Sequence, residues 1–463
     1  MDGGKAEEEK GGRMEKIFAY IDQNLNRFIE ELFVLLRQPS ISARWEGVEE
    51  CSRLLTRMME KLGVKTRVFP MAGKRNPPLV YGEVLNPAAQ KTLLIYGHYD
   101  VQPPEPLEEW TSLPFEPSIR EGKIYGRGSA DDKGQLFAHL KALEAVLQVQ
   151  GTLPVNVKFL FDPEEEVGSP SLMDFVSHHR ELFRADAALF SDGPLDPSGY
   201  PRLSFGNRGV LYVEVQAKGA NQDLHSGNFG GPFPNPAWRL VELLTSLRHP
   251  DGTVAIEGFY ENIVPPTPLE HEMMARIPFD EKEFMGKYGL KRFAPPDDIG
   301  FMEKIMFRPT LNIAGFVSGY GGPGSKTVLP HRAMVKMDMR LVVNQDPHDI
   351  YEKFLRHLKK HGFDDLDVQM HHFYYPSRTP VDHPLAPKFI AAIRQGFQQE
   401  PVLIPTAGGS FPAAPIRNLL DIPVFAVPYG NYDQSNHAPN ENLAIECFRN
   451  GIRTSAALFF QLV

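Results

Sequence analysis

The chain has 463 residues, 42% apolar and 23% charged, with a net charge of −9. That length exceeds one ordinary core and predicts two domains. The acidic balance excludes a basic nucleic-acid footprint, and no run of about 18 apolar residues predicts a membrane span.

The two cysteines, Cys51 and Cys447, make neither a disulfide framework nor a metal cluster. Each reads as a small buried apolar side chain, and a reducing cytoplasm is the expected compartment. The opening MDGGKAEEEKGGR is polar and lacks the apolar stretch of a secretory signal. It predicts a disordered leader over 1–13, with Met14 as the expected natural start. Apolar side chains then recur at helical spacing, at Ile17, Phe18, Ile21, Leu25, Phe28, Ile29, Leu32 and Leu35, and predict a helix over 14–37. A second helix is expected at 46–62, followed by β-like runs at 64–69, 79–84 and 92–97. A helix at 134–149, a strand at 155–161, a helix at 170–182 and a strand at 187–191 continue the pattern. Strands alternating with helices predict an α/β layer with a mixed sheet flanked by helices.

After about residue 205 the pattern has period two. Segments 211–219 and 333–342 predict antiparallel strands with one open face, with helices at 235–248 and 347–361. This is an α+β insertion over 206–384. The α/β style resumes with a helix at 385–399, a strand at 422–427 and a last helix at 441–461. The first domain, 14–205 and 385–463, is therefore discontinuous. The Pro-rich, charged stretch 262–309 reads as an irregular excursion with no assignable role.

Acids and histidines gather at five places, four of them at or just past a short apolar run: His98 and Asp100 in YGHYDVQP, Asp131 and Asp132 in GRGSADDKG, Glu164 to Glu166 in FDPEEEVGSP, Asp192 in LFSDGP, and His437 in SNHAPNEN. An α/β sheet assembles an active centre from the ends of several strands. Two histidines with several carboxylates and no cysteine suit a hydrolytic dinuclear zinc site. His98 and Asp100 lie two apart on a strand, so the aspartate can orient the imidazole. Adjacent carboxylates at 131 and 132 repel unless a cation compensates; one of them can cap the next helix while the other binds metal, and spacing does not say which. Of the glutamates, one can bind metal while its neighbour takes a proton from an activated water. Taken singly, each place also has an ordinary reading: a strand-end pair, helix caps, a solvated acidic face, a turn aspartate, a loop histidine. GYGGPGSKT fails as a phosphate loop and AGGSFP fails as a nucleophile elbow; Ser410 better suits a cradle for a substrate carboxylate.

With these residues assembled, the chain resembles the carnosinase, aminoacylase and carboxypeptidase G family of dinuclear zinc hydrolases. GHYDVQP, YGRGSADDKG, EEEVGS, SDGP, DLHSG, GSKTVLP, MRLVVN, GGSFP and NHAPNE recur in order after residue 14. GHYDVQP with Trp110, and YGRGSADDKG, are most similar to the carnosinase-type dipeptidase branch. The resemblance implies a bridging ligand at Asp131, one metal on His98 and Asp192, and the other on Glu166 and His437. It implies Glu165 as general base and Asp100 as the support of His98, with a cis peptide after Asp131. The insertion matches the family's lid, which also forms its homodimer. His225 matches a histidine that reaches the partner subunit's active site, while Thr327, Arg340, His383, Gly409 and Ser410 match substrate-binding positions. Zinc is the expected metal, and manganese and cobalt can occupy the same donor set.

The expected activity is hydrolysis of a peptide bond in a dipeptide or similar small substrate with a free carboxylate. An N-acyl-amino-acid deacylase or a carboxypeptidase is the nearest alternative on the same scaffold. A catalytically silent binding protein is argued against by Glu165, and a nucleotide-dependent enzyme rests only on the failed phosphate loop.

Overall fold

A computed structural model describes the backbone of residues 2–73, 75–295 and 299–463, with side chains described from Gly12 onward. Short apolar strands build one eight-stranded mixed sheet. Its order is Lys65–Pro70, Pro78–Val84, Asn156–Asp162, Thr92–His98, Ala187–Phe190, Val424–Ala426, Arg202–Ser204 and Val402–Ile404. Side chains alternate across it because the strand period is two. Leu93 and Ile95 enter one core with Phe159, Phe161 and Leu189, while Leu94 and Tyr96 enter another with Leu160 and Phe190. Helices Asp2–Leu36, Lys133–Gln150, Ala386–Phe397 and Ile445–Gln461 cover the first face; Leu172–His178 and Ala414–Arg417 cover the second.

Three central strands run parallel. Thr92–His98 lies between Asn156–Asp162 and Ala187–Phe190, with His98 opposite Asp162 and Tyr96 opposite Phe190. Their C-terminal ends therefore open at one edge of the sheet, which sets the position of the site.

The second sheet is four-stranded and antiparallel, in the order Thr310–Ser318, Arg332–Leu341, Gly209–Lys218 and Asp367–Tyr374. Helices Pro236–Ser246 and Pro347–Lys360 cover one face around a separate core that includes Leu211, Val213, Leu240, Met337 and Phe354. The two sheets meet at a neck where Gly206–Asn207 pairs with Ser377–Arg378.

Several expectations need correcting. Helical backbone continues back to Asp2, through the stretch expected to be a disordered leader; Lys, Ala and Glu in that stretch favour a helix. The excursion is not irregular: it holds helices Pro268–Ala275, Glu281–Lys287 and Phe301–Phe307, the first closed by a Thr267/Glu270 capping box and the second capped by Asp280. Strands Thr310–Ser318 and Asp367–Tyr374 escape the sequence pattern because each contains a register shift against its neighbour, which interrupts the two-residue period. The expected helix over 170–182 is Leu172–His178 followed by a tight turn Arg180–Phe183, and the last helix starts at Ile445 after the short strand Asn442–Ala444.

Candidate metal centre

The parallel strand ends bring the scattered acids and histidines together. His98 ends its strand, the Glu165–Val167 turn follows the strand at Asp162, and Asp192 follows the strand at Phe190. The loop 127–132 approaches His98 closely because Gly97 has no side chain: a Cβ there would lie 3.0 Å from Asp132 Oδ2 and 3.2 Å from Leu136 Cβ. The peptide between Asp131 and Asp132 is cis. His437 enters from the loop before the last helix with φ at 58°, in the left-handed region.

Two three-residue groups result, and they share Asp131: His98, Asp131 and Asp192, and Asp131, Glu166 and His437. His98 Nε2 lies 3.0 Å from Asp131 Oδ1 and 4.0 Å from Asp192 Oδ2. His437 Nε2 lies 3.1 Å from Asp131 Oδ2 and 3.2 Å from Glu166 Oε2. His98 Nε2 is buried yet makes no hydrogen bond, so this nitrogen and the Asp131 oxygen face a common point more than each other.

The charges make the same argument. Burial, reinforced by the charge of Asp131, pushes Glu166 up to about 7 and Asp192 up to about 6. Burial drives Glu165 well above the usual carboxylate range. Burial also opposes the charged forms of His98 and Asp131 alike. The acids around His98 nevertheless raise it well above its ordinary value, and the two imidazoles hold Asp131 well below its own. The hydrogen bond to Asp131 lifts His437 to about 11. Four carboxylates around two imidazoles need further positive charge to stay ionised. The orphaned nitrogen and this donor set fit a pair of divalent cations.

Asp100 has two tasks. Its carboxylate lies 3.3 Å from His98 Nδ1, and it accepts the backbone N–H groups of Glu165 at 3.1 Å and Glu166 at 3.0 Å. One buried acid thus orients the imidazole and holds the glutamate turn. Asp132 stands at the helix N-cap position, but its side chain caps nothing in the helix; it accepts from the His98 N–H at 3.2 Å.

The sequence reading missed four supporting residues. Glu441 is buried and accepts from the N–H groups of Gly128, Ala130 and Asp131 and from Arg127 Nη1, all between 2.9 and 3.0 Å. It therefore shapes the loop that presents Asp131. Its one sequence signal is an acid in the polar loop that carries His437. Gln102 donates to Glu166 Oε2 at 2.8 Å. Asp162 accepts from Ser169 Oγ at 2.7 Å and from the Glu164 N–H at 3.0 Å, bracing the glutamate turn. Tyr374 reaches Glu165 from the second sheet.

The remaining predicted residues divide. Arg340 Nη1 donates to Ser410 Oγ at 3.0 Å across the gap between the sheets, and its Nε faces Asp338 at 3.4 Å. Gly409 lies in the same loop, and a Cβ added there would meet open space. His225 and Thr327 meet each other at 3.4 Å beside a separate two-stranded pairing of Leu224–His225 with Val328–Leu329, both side chains exposed; the structure does not bring them to the metal groups of their own chain. His383 also stands apart: its Nδ1 accepts from the Leu385 N–H at 3.2 Å, and its ring packs on Phe425. The histidine beside the glutamate turn is His372, whose Cβ lies 3.2 Å from the Cβ position of Gly168. Strand pairing with Tyr212 places His372 there.

With this geometry established, comparison with known proteins becomes decisive. Residues 94–461 match Peptidase family M20/M25/M40. The chain belongs to that family. This peptidase is 29% identical to a Beta-Ala-His dipeptidase of Rattus norvegicus, over 97% of this chain and 96% of that one. It is 29% identical to a Cys-Gly metallodipeptidase of Schizosaccharomyces pombe, over 95% and 96%. Among solved structures, an M20 family metallo-carboxypeptidase of Sulfolobus solfataricus is 36% identical, with 94% of this chain and 99% of that one covered and a TM-score of 0.87. Among the described residues, no helix of this M20 peptidase is long and apolar enough to cross a membrane.

Proposed function

We propose that this peptidase hydrolyses dipeptides and similar small peptides with a free C-terminal carboxylate, using two divalent metal ions, zinc first. The observation that carries the reading is the pair of ligand groups sharing Asp131, with Glu165 next to the ligand Glu166. On this reading His98, Asp131 and Asp192 hold one ion, and Asp131, Glu166 and His437 the other. When bound, such a pair supplies a water nucleophile at neutral pH and polarises the scissile carbonyl.

Glu165 takes the proton of the attacking water and returns it to the leaving amine. Asp100 keeps His98 in one orientation and steadies the Glu165 backbone. Arg340 and Ser410 receive the substrate carboxylate, which suits a planar guanidinium. His225 comes from a second copy to stabilise the developing oxyanion. The segment 206–384 acts as lid and homodimerisation domain on a catalytic body of 14–205 and 385–463. Support for pairing comes from the lid edge strand Thr310–Ser318, where Ile313 is 48% and Val317 63% exposed. Two buried free thiols support a cytoplasmic location.

A carboxypeptidase is the second reading, favoured by the 36% identity to the Sulfolobus protein; an N-acyl-amino-acid deacylase would use the same ligand groups. Metal analysis of purified protein, with parallel assays on dipeptides, longer peptides and N-acetyl amino acids, tests the choice. About two ions per chain and fastest turnover of dipeptides are expected. A metal-loaded enzyme that trims longer peptides and ignores dipeptides would overturn the first reading in favour of the second.

A further inference from the structure

Glu165 belongs to a turn of the eight-stranded sheet, whereas Tyr374 ends the strand Asp367–Tyr374 of the second sheet. The Tyr374 hydroxyl crosses between them. It donates to the Glu165 carbonyl at 3.0 Å and lies 3.3 Å from the Glu165 carboxylate oxygen Oε1. Among the described residues, it is the one hydrogen-bond donor within reach of that carboxylate. The tyrosine is not on a mobile tip. It pairs with Val210 in the sheet, and a Cβ added to Gly209 would lie 2.5 Å from the Tyr374 carbonyl, so the backbone there is closely packed.

We propose that Tyr374 is a positioning residue for Glu165, supplied by the lid. The proposal rests on the reading of Glu165 as general base. Its physical basis is one donor that touches two atoms of the same residue. The bond to the carbonyl fixes the backbone of the glutamate turn, and the contact with Oε1 restricts where the carboxylate points. Burial and the nearby Glu165 charge push the tyrosine hydroxyl well above its ordinary value, so it remains a donor throughout the neutral range. Because the anchor comes from the second sheet, movement of that sheet away from the catalytic body breaks both contacts at once.

The test compares metal-loaded full-length wild type, Tyr374→Phe and Glu165→Gln by steady-state kinetics on a dipeptide, with metal content measured for each. Tyr374→Phe should lose about tenfold in kcat, with KM within about twofold and metal content unchanged. Fluorotyrosine at 374, which keeps ring and hydroxyl, should hold kcat within about threefold of wild type. Wild-type kcat in Tyr374→Phe beside an inactive Glu165→Gln overturns the proposal while leaving the base assignment intact. A fully active Glu165→Gln overturns the base assignment, and this proposal with it. If Tyr374→Phe fails to fold, fluorotyrosine carries the test: a loss of tenfold or more with metal retained shows that the hydroxyl does not act as a simple anchoring donor, and rejects it.

Discussion

The metal groups and the lid-side residues are built in different ways. The metal groups rest on strand ends and on loops held by hydrogen bonds: Asp100 holds the glutamate turn, Glu441 holds the loop of Asp131, and Gln102 holds Glu166. On the lid, His225 is exposed and meets Thr327 and its own Gly227 N–H, while Arg340 reaches its partner Ser410 only across the gap between sheets. One chain thus carries both candidate ligand groups, and the proposed handling of substrate waits on the approach of other parts. Rigid assembly suits the first task because ligand geometry must precede binding. An open arrangement suits the second because substrate has to enter and product leave.

The sharpest break between the regions is expected at Glu165. Glu165→Gln should keep its metal and lose about a thousandfold or more in kcat; metal analysis beside kinetics separates this from loss of the site. Glu441→Gln should act through stability, because it leaves buried donors and Arg127 poorly matched. A loss of roughly 3 kcal/mol in denaturant melts is expected, together with weakened metal binding. Metal removal should show the same region from its charge. Glu166 and Asp192 have folded values raised to about 7 and about 6, so the metal-free fold binds more protons than the unfolded chain. The stability these two carboxyls contribute is then present below about pH 4 and is lost as the pH rises through about 6 to 7. Added zinc should flatten that slope; an equally flat slope without metal would contradict the charge argument.

On the lid side, His225→Ala should cost about a hundredfold in kcat with no change in metal content or melting. Mixing it with Glu165→Gln subunits should restore activity where heterodimers form, and no recovery in demonstrated heterodimers rejects action across the dimer. The smallest effect is assigned to His383→Ala. It should lower stability by about 1 kcal/mol at most, through loss of a helix-end bond, and leave kinetics unchanged. A large rise in KM there would return His383 to the substrate site.

Much of this is legible in the amino-acid sequence. Acids at the ends of apolar runs mark His98, Asp100, Asp192 and the glutamate turn, because strand ends are where an α/β sheet exposes side chains. The alternating segments 211–219 and 333–342 mark the second sheet. Strands 310–318 and 367–374 were hidden by their register shifts, and the excursion by short helices whose evidence lies in caps more than in periodicity. Glu441, Gln102 and Asp162 were hidden for another reason: a supporting side chain is defined by what it touches, and its sequence neighbourhood is unremarkable.

The sequence by itself determined the α/β body, the interruption by an antiparallel insertion and the set of acids and histidines available to a metal. Local patterning can do this because helix and strand periods, and the chemistry of a side chain, are properties of short segments. The tertiary structure alone shows that Asp131 is shared by two groups, that Glu441 shapes its loop, that Tyr374 reaches Glu165 from the other sheet and that His372 stands by the glutamate turn. Those facts depend on distances between segments up to hundreds of residues apart, and packing alone sets them.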